Sequence, residues 1–159
     1  MLIIRVDKIN YYLNIAQTVA QRGTCLKRNY GSVIIKNDEL IASGFSGSPR
    51  GLPNCIDLGC CNRELHGEGS GSYTFCKSVH SEMNSIISAS RKDMIGSTLY
   101  LVGIDYITKE LHPTAEPCNI CKKLIINAGI EKVIIRRTPT EYEVQYVKDW
   151  DLQALKFQH

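Results

Sequence analysis

Two short motifs carry the residues best suited to chemistry. His80 and Glu82 occur in the run HSE, and Cys118 and Cys121 occur in the run PCNIC much later in the chain. A histidine nitrogen and two thiolates are typical zinc ligands, and three protein ligands leave a fourth position for water, as in catalytic rather than structural sites. Bound zinc lowers the pKa of water from about 16 towards about 7. The motifs therefore predict a catalytic zinc site beside Glu82, an unligated acid/base.

The order of the motifs narrows the chemistry. HxE followed by PCxxC is typical of zinc enzymes that deaminate nucleobases, in which the glutamate transfers protons and does not bind the metal. The alternative is that PCNIC joins other cysteines in a closed structural zinc site and that HSE is ordinary helix surface. A CxxC pair alone would not distinguish the two, but its combination with HxE favours hydrolytic catalysis.

Helix starts can bring these side chains together. Cys118 and Cys121 are three residues apart and share a helix face, and Pro117 suits the beginning of that helix. The positive potential of a helix N-terminus favours thiolates and should keep Glu82 ionised at the start of its own helix. We expect the zinc between the N-termini of the second and third helices.

Apolar periodicity predicts the order α-β-β-loop-α-β-α-β-β-α, and hence a mixed sheet with helices on both faces. The helix that begins with HSE is expected to bury Met83, Ile86 and Ile87. Asn37-Asp38 is expected to turn a hairpin. The expected helices are 8–22, 79–91, 118–128 and 149–156, and the expected strands are 31–36, 39–45, 97–104, 131–137 and 141–147.

Composition limits the class of protein. The 159 residues, 43% of them hydrophobic, are enough for one domain with a sizeable core, which we expect to span 1–159. The net charge of +3 does not indicate nucleic-acid binding. No apolar run is long enough for a signal peptide or a membrane span, so we expect a cytoplasmic protein with no membrane partner. The single tryptophan, Trp150, is expected to pack into the core.

A Cys-rich irregular segment at about 46–77 needs something to hold it, because long structureless segments are uncommon in compact domains. Seven cysteines in an expected intracellular chain favour metal ligation and free thiols over disulfides. A second, structural zinc could cross-link the segment. The preferred ligands are Cys25, Cys55, Cys60 and Cys76, with Cys61 free; His66 could replace one thiol, or all five could be separate free thiols.

Longer stretches resemble a known family. They are CLKRNYGSVI at 25–34, SGFSGSPRGLPNC at 43–55, GC at 59–60, Cys76 shortly before HSEMN, and PCNICKKLIINAGIEKVI. Together they resemble the cytidine and deoxycytidylate deaminase superfamily, most closely the deoxycytidylate (dCMP) deaminases, over roughly residues 10 to 136.

The resemblance implies a three-layer α/β/α sandwich around a five-stranded mixed sheet, and the hydrolysis of dCMP to dUMP and ammonia. It implies zinc on His80, Cys118 and Cys121, with Glu82 carrying a proton from water to N3 and then to the departing amine. The backbone around Ser81 and Glu116 would read the edges of the base. It also implies a homo-oligomer, often a hexamer.

Substrate contacts beyond the base are less well defined. The resemblance places Arg28, with Lys27, in the basic position of the family, and an arginine can grip phosphate through two hydrogen bonds. Arg50 and His66 in the irregular segment are further candidates. Phe45 and Ser46 stand where the family has Tyr-Asn, whose asparagine contacts the sugar, so sugar preference and nucleotide regulation stay open. The family's HAE is HSE here, and the stretch 103–114 is longer than usual, as either a pocket wall or a surface hairpin.

Three other functions remain as alternatives. The substrate could be another cytosine compound, such as dCTP, deoxycytidine or 5-methyl-dCMP. The near-neutral charge disfavours editing of tRNA or single-stranded DNA. A non-catalytic zinc-stabilised binding module is disfavoured by Glu82, because a structural site needs no acid/base beside its metal.

Overall fold

A five-stranded sheet forms the centre of the fold in the computed structural model, which describes residues 4–69 and 72–150. Its strands are β1 Arg28–Lys36, β2 Glu39–Phe45, β3 Thr98–Asp105, β4 Lys132–Arg136 and β5 Tyr142–Tyr146. The helices are α1 Lys8–Ala20, α2 Cys55–Leu58, α3 Asn62–Leu65, α4 Ser81–Ile87, α5 Arg91–Met94 and α6 Asn119–Ala128, followed by a 3₁₀ turn at Val147–Asp149.

The strand order is β2-β1-β3-β4-β5, with β3 and β4 parallel and all other neighbours antiparallel. The predicted mixed sheet is therefore confirmed. Asn37 and Asp38 turn the β1–β2 hairpin with φ values of 50° and 65°. These left-handed conformations suit a two-residue hairpin turn, and Asn and Asp tolerate them better than most residues.

Helices cover both faces of the sheet. On one face, α1 packs Leu13 and Ala16 against a cluster that includes Val33 and Val102. On the other face, Ile125 of α6 belongs to a second cluster built on alternate strand positions. Six consecutive residues of β3 are buried, as its continuous apolar run indicates. The three-layer α/β/α sandwich is confirmed.

Helix α4 differs from its prediction. It ends at Ile87, which is 78% exposed, and its buried residues are Ser81, Glu82 and Ser85. The expected burial of Ile87 was wrong. Met83 and Ile86 are partly buried, and Ile86 packs against the core. Small polar residues face the sheet because the helix lies very close to it.

Two distances show how close α4 lies to the sheet. The hydroxyl oxygens of Ser85 and Ser32 are 2.6 Å apart, and a Cβ added to Gly44 would lie 2.5 Å from the carbonyl oxygen of Ser81. A larger side chain at these positions would push the helix outward. The close approach holds the N-terminus of α4 beside the strands.

The remaining predictions fall at the ends of the chain and in the irregular segment. Two single helical turns, α2 and α3, interrupt segment 46–77. Most of the predicted terminal helix 149–156 lies outside the described residues. Trp150 packs against the core and donates a hydrogen bond to Gln145 Oε1 at 3.2 Å, so its packing role is confirmed. None of the described helices is long and apolar enough to cross a membrane.

Candidate metal centre and substrate pocket

Two helix starts hold the candidate metal ligands. His80 is the N-cap residue of α4, and Cys118 is the N-cap residue of α6. Cys121 lies in the first turn of α6, where its backbone N–H donates to Cys118 Sγ at 3.4 Å. Helices α4 and α6 pack side by side, so their N-termini face a common space. The predicted position of the ligands, between two helix N-termini, matches this arrangement.

The ligand atoms converge. Nδ1 of His80 lies 3.4 Å from Sγ of Cys118 and 3.4 Å from Sγ of Cys121. Tetrahedral zinc with ordinary bond lengths would place such N and S atoms about 3.5 Å apart. Within the described part of the chain, this is the one group of three or more such side chains whose ligand atoms all lie within 4.8 Å of one another. The donor set and its spacing fit zinc.

The two thiols are electrostatically unequal. Hydrogen bonds from the thiol of Cys121 and with His80 lower the pKa of Cys118 to about 4, although burial acts in the opposite direction. The pKa of Cys121 is raised because its thiol donates to Cys118 and is buried. Burial opposes protonation of His80, yet the hydrogen bond and charge of Cys118 raise its pKa. One thiolate is therefore already stabilised at the site, and metal binding would release the remaining protons.

Glu82 lies beside these ligands without joining them. Its side chain is only 4% exposed, and its Oε2 accepts a hydrogen bond from Ser81 Oγ at 2.9 Å. Burial raises the pKa of this carboxyl group, partly offset by its hydrogen bonds and by His80. A carboxyl group with a raised pKa can accept and return a proton near neutral pH.

A cavity of about 590 Å³ opens onto the metal ligands. This volume is in the range that binds small molecules. Residues predicted from the sequence form part of its wall; they are Lys27, Arg28, Ser46, His80, Glu82, Glu116 and Cys118. The structure thus brings most of the candidate site residues to one cavity.

The basic residues and Ser46 occupy different parts of the wall. Lys27 forms an ion pair with Glu64, whereas Arg28 begins β1 and is exposed. Ser46 is buried, and its hydroxyl accepts from Tyr30 N at 3.0 Å and donates to Tyr30 O at 3.4 Å. Ser46 therefore joins its own segment to β1, while Arg28 forms part of the cavity wall.

Ser81 and Glu116 flank the metal ligands in sequence. Ser81 is buried at the start of α4. The carboxylate of Glu116 accepts hydrogen bonds from Arg137 Nη2 at 2.6 Å and from Gln145 Nε2 at 3.1 Å. These contacts hold the chain just before Pro117 against β4 and β5.

The structure does not bring Arg50 and His66 to the cavity. Arg50 is exposed in the loop after β2. The His66 ring stacks on Phe75 with 4.1 Å between ring centres and 9° between planes. Within the described residues, neither side chain contributes to the cavity wall.

The cysteines of the irregular segment approach the same cavity. Cys25, Cys55, Cys61 and Cys76 line it, and Cys60 is not among the lining residues of the described chain. Burial raises the pKa of Cys55, and the charges of Cys25, Cys76 and Cys61 raise it further. The structure therefore places Cys61 rather than Cys60 on the cavity wall, and within the described residues the five thiols do not converge as the His80, Cys118 and Cys121 group does. All seven cysteines are free thiols.

Several cavity residues were missed by sequence reasoning. Arg63 and Tyr73 come from the irregular segment, where no periodicity marks them. Asp105 and Ile107 come from the long stretch 103–114, which both lines the cavity and turns back through a hydrogen bond from Asp105 N to Glu110 O at 2.9 Å. Its unusual length was the one available signal, because extra loops at a cavity edge often contribute to binding.

Comparison with known proteins connects this site to a family. Residues 6–137 match the model of the cytidine and deoxycytidylate deaminase zinc-binding region. The chain is 35% identical to the deoxycytidylate deaminase of Mycobacterium phage D29 over 136 residues, which cover 82% of this chain and 94% of the phage protein. It is 33% identical to the deoxycytidylate deaminase of Saccharomyces cerevisiae over 129 residues, which cover 79% of this chain but only 36% of the yeast protein.

Solved structures show the same fold. The dCMP deaminase of cyanophage S-TIM5, in complex with dCMP and dUMP, superposes with a TM-score of 0.59 at 26% identity, covering 84% of each chain. The cytidine deaminase of Burkholderia pseudomallei gives 0.58 at 14% identity, covering 87% of this chain and 92% of that one, and supports the fold alone. With its candidate zinc ligands at two helix starts, the chain belongs to the cytidine and deoxycytidylate deaminase family.

Proposed function

We propose that this protein is a zinc-dependent hydrolase that converts dCMP to dUMP and ammonia. The observation that carries the proposal is the convergence of His80, Cys118 and Cys121 at a cavity that also holds the buried Glu82. The choice of dCMP is supported by the phage D29 relative, which is named a deoxycytidylate deaminase, and by the S-TIM5 structure, which contains dCMP and dUMP.

Glu82 would carry the protons of the reaction. Zinc held by the three ligands would lower the pKa of a water molecule and supply a nucleophile at neutral pH. Glu82 accepts a proton from the attacking water and delivers it to N3 of the base. It then passes the second proton to the amine, the C4–N bond breaks, and ammonia leaves while C4 keeps the oxygen. One water is consumed for each ammonia released.

Other residues of the wall would hold the nucleotide. The backbone around Ser81 and Glu116 is proposed to read the amine and carbonyl edges of the base, and the hydrogen bonds from Arg137 and Gln145 to Glu116 would keep that backbone in place. Arg28 is proposed as the main phosphate contact, because Lys27 is already paired with Glu64.

The test is a substrate panel measured by ammonia release. The zinc-loaded protein is assayed with dCMP, dCTP, CMP, deoxycytidine and 5-methyl-dCMP, and we expect the highest kcat/KM with dCMP. The matched control is Glu82→Gln, which should keep its zinc and its fold but lose about 10²- to 10⁴-fold in kcat, the usual contribution of general acid–base catalysis. A preference for another compound would refute the substrate, and a Glu82→Gln enzyme with substantial activity would refute the role of Glu82.

We further propose a single domain over 1–159, with the Cys-rich segment 46–77 as an insert, in a cytoplasmic protein. Free thiols at all seven cysteines support the reducing compartment.

We also propose a homo-oligomer, with a hexamer as the expected size, to be measured by light scattering. Exposed apolar side chains on the neighbouring helices α4 and α6 support association; Ile87 is 78% and Ile120 49% exposed.

A further inference from the structure

Three side chains form a stack that leads from the Cys-rich segment to the metal ligands. The guanidinium carbon of Arg63 lies 4.8 Å from the centre of the Tyr73 ring. The Tyr73 ring in turn meets the His80 ring edge to face, with 4.7 Å between centres and 82° between planes. Both distances are within the range of favourable cation–π and aromatic contacts. The segment therefore touches the metal centre through an aromatic side chain.

Contacts within the segment hold Arg63 over the ring. Its Nη2 donates to Gly69 O at 2.7 Å, and its Nε lies 4.0 Å from Glu68 Oε2. Glu68 is itself fixed, since it accepts hydrogen bonds from Ser72 Oγ at 2.8 Å and from Phe75 N at 2.9 Å. The Arg63 side chain is 20% exposed, so most of it is shielded from water. The guanidinium group is thus held in place before any ligand binds.

The His80 ring needs such support. A histidine that binds a metal is normally oriented by a hydrogen bond from its other ring nitrogen. Over residues 4–69 and 72–150, the hydrogen bonds of the His80 ring are made by Nδ1 to the two thiols, and none is made by Nε2. The torsion that turns an imidazole about its Cβ–Cγ bond is broad, so it does not by itself fix the ring. Packing against Tyr73 restricts that torsion.

We propose that Tyr73 and Arg63 are positioning residues for the metal centre. Tyr73 holds the His80 imidazole with Nδ1 directed at both thiols, and Arg63 holds Tyr73. The Cys-rich segment thereby sets the affinity and geometry of the catalytic metal site as well as forming the cavity wall. This inference rests on the zinc site of the proposed function, so its test reads the metal directly and needs no substrate.

The test compares zinc affinity and the visible absorption of the cobalt-substituted protein. A Cys118→Ser variant identifies the absorption band that belongs to this site. Tyr73→Ala should weaken zinc binding about 10- to 100-fold, the usual effect of losing a partner of a metal ligand, and should change the cobalt spectrum. Tyr73→Phe keeps the ring and should remain within about threefold of the unaltered protein. Arg63→Gln should weaken binding by about 3- to 10-fold, since the ring remains but its cation is lost.

Matched controls separate positioning from other roles. Arg50→Gln removes an exposed arginine of the same segment and should leave zinc affinity and the cobalt spectrum unchanged. If Tyr73→Ala keeps both metal readouts while activity falls, Tyr73 contacts substrate only and the proposal is overturned. If Arg63→Gln changes only the KM for dCMP, Arg63 acts on the phosphate and its positioning role is overturned.

Unfolding of a variant and absence of dCMP deamination can each be told apart from a loss of positioning. Circular dichroism checks the fold, and Tyr73→Leu replaces Tyr73→Ala if the smaller side chain unfolds the segment, because leucine keeps bulk without an aromatic edge. If both unfold, the Arg63→Gln result decides. If the protein did not deaminate dCMP, the proposed function would be refuted. The metal measurements would still test the positioning roles of Tyr73 and Arg63, because they need no substrate.

Discussion

Single side chains decide which metal the site can hold. The NS₂ donor set of His80, Cys118 and Cys121 suits zinc, and Glu82 remains outside it as a buried acid.

Single residues also decide which of the other thiols line the cavity. Gly59 ends α2 in the left-handed conformation with φ 69°, and the chain then places Cys61 at the N-cap of α3. Cys61 thus reaches the cavity, whereas Cys60 is not on its wall in the described chain.

Metal analysis of cysteine variants tests the second zinc. A second zinc on these thiols would give two zinc ions per chain and would hold a segment with little core of its own. Cys61→Ser should lower the content to one, while Cys60→Ser should keep two. The reverse result would restore Cys60 to the site, and a single zinc in the unaltered protein would exclude a second site altogether.

Among the elements, the contact of α4 with the sheet matters most for the site. The helix presents Ser81 and Ser85 to β1 and β2 and leaves Ile87 in solvent. Because His80 caps this helix, the depth at which α4 packs sets the position of one zinc ligand. Gly44 of β2 is what permits that depth.

Gly44→Ala should therefore affect both stability and metal binding. The added Cβ would lie 2.5 Å from Ser81 O and 2.5 Å from Ser85 N, both backbone atoms that cannot move alone. We expect a loss of roughly 1–3 kcal/mol in the free energy of unfolding, as for other overpacked sites, and weaker zinc binding. Urea unfolding and chelator competition measure the two effects.

The control for this substitution is Gly69→Ala, where an added Cβ meets nothing within 4 Å. It should change the free energy of unfolding by less than about 0.5 kcal/mol, as surface substitutions usually do. Equal effects of the two substitutions would contradict the close-packing argument.

At the scale of the whole molecule, polar contacts join α1 to the sheet on the face opposite the candidate metal site. Arg136, only 3% exposed, donates from β4 to Gln17 Oε1 of α1 at 2.7 Å and to Asn10 Oδ1 at 3.0 Å. Tyr12 of α1 donates to Asp38 Oδ1 in the hairpin turn at 2.5 Å. These contacts join the first helix to β4 and to the β1–β2 hairpin.

Alkaline pH should weaken the second of these contacts. The hydrogen bond to Asp38, with burial, raises the pKa of Tyr12 to about 12 from its ordinary value of 10. The folded state therefore holds the phenol proton more tightly than the unfolded state does. The resulting stability is complete below pH 10 and is lost as the pH rises towards 12.

Comparison with Tyr12→Phe isolates this effect. Between pH 8 and pH 11, the difference in free energy of unfolding between the unaltered protein and Tyr12→Phe should shrink by about 1 kcal/mol, a figure reduced because the Asp38 carboxylate is exposed to solvent. Urea unfolding at the two pH values measures it, with the more exposed Tyr11→Phe as control. A difference that does not change with pH would refute the contribution of this hydrogen bond.

Local patterns were sufficient for the metal ligands and for most elements. Residue type and short spacing mark His80 and Glu82 in HSE, and Cys118 and Cys121 in PCNIC. A continuous apolar run predicts β3, and helical periodicity predicts α6. The same reasoning failed for α4, because apolar periodicity assumes that the larger side chains face the sheet. Periodicity does not show that α4 packs so close to Gly44 and Ser32 that small residues such as Ser81 and Ser85 face the sheet.

The sequence by itself predicted the reaction class, the candidate zinc ligands and the layers of the fold, since short motifs and the periodicity of each element are local patterns. Only the tertiary structure decided that Cys61 rather than Cys60 lines the cavity, that Arg50 and His66 lie away from it, and that Tyr73 packs on His80. These are contacts between distant segments, one of them irregular. They follow from how loops pack over the sheet, and no local spacing encodes that packing.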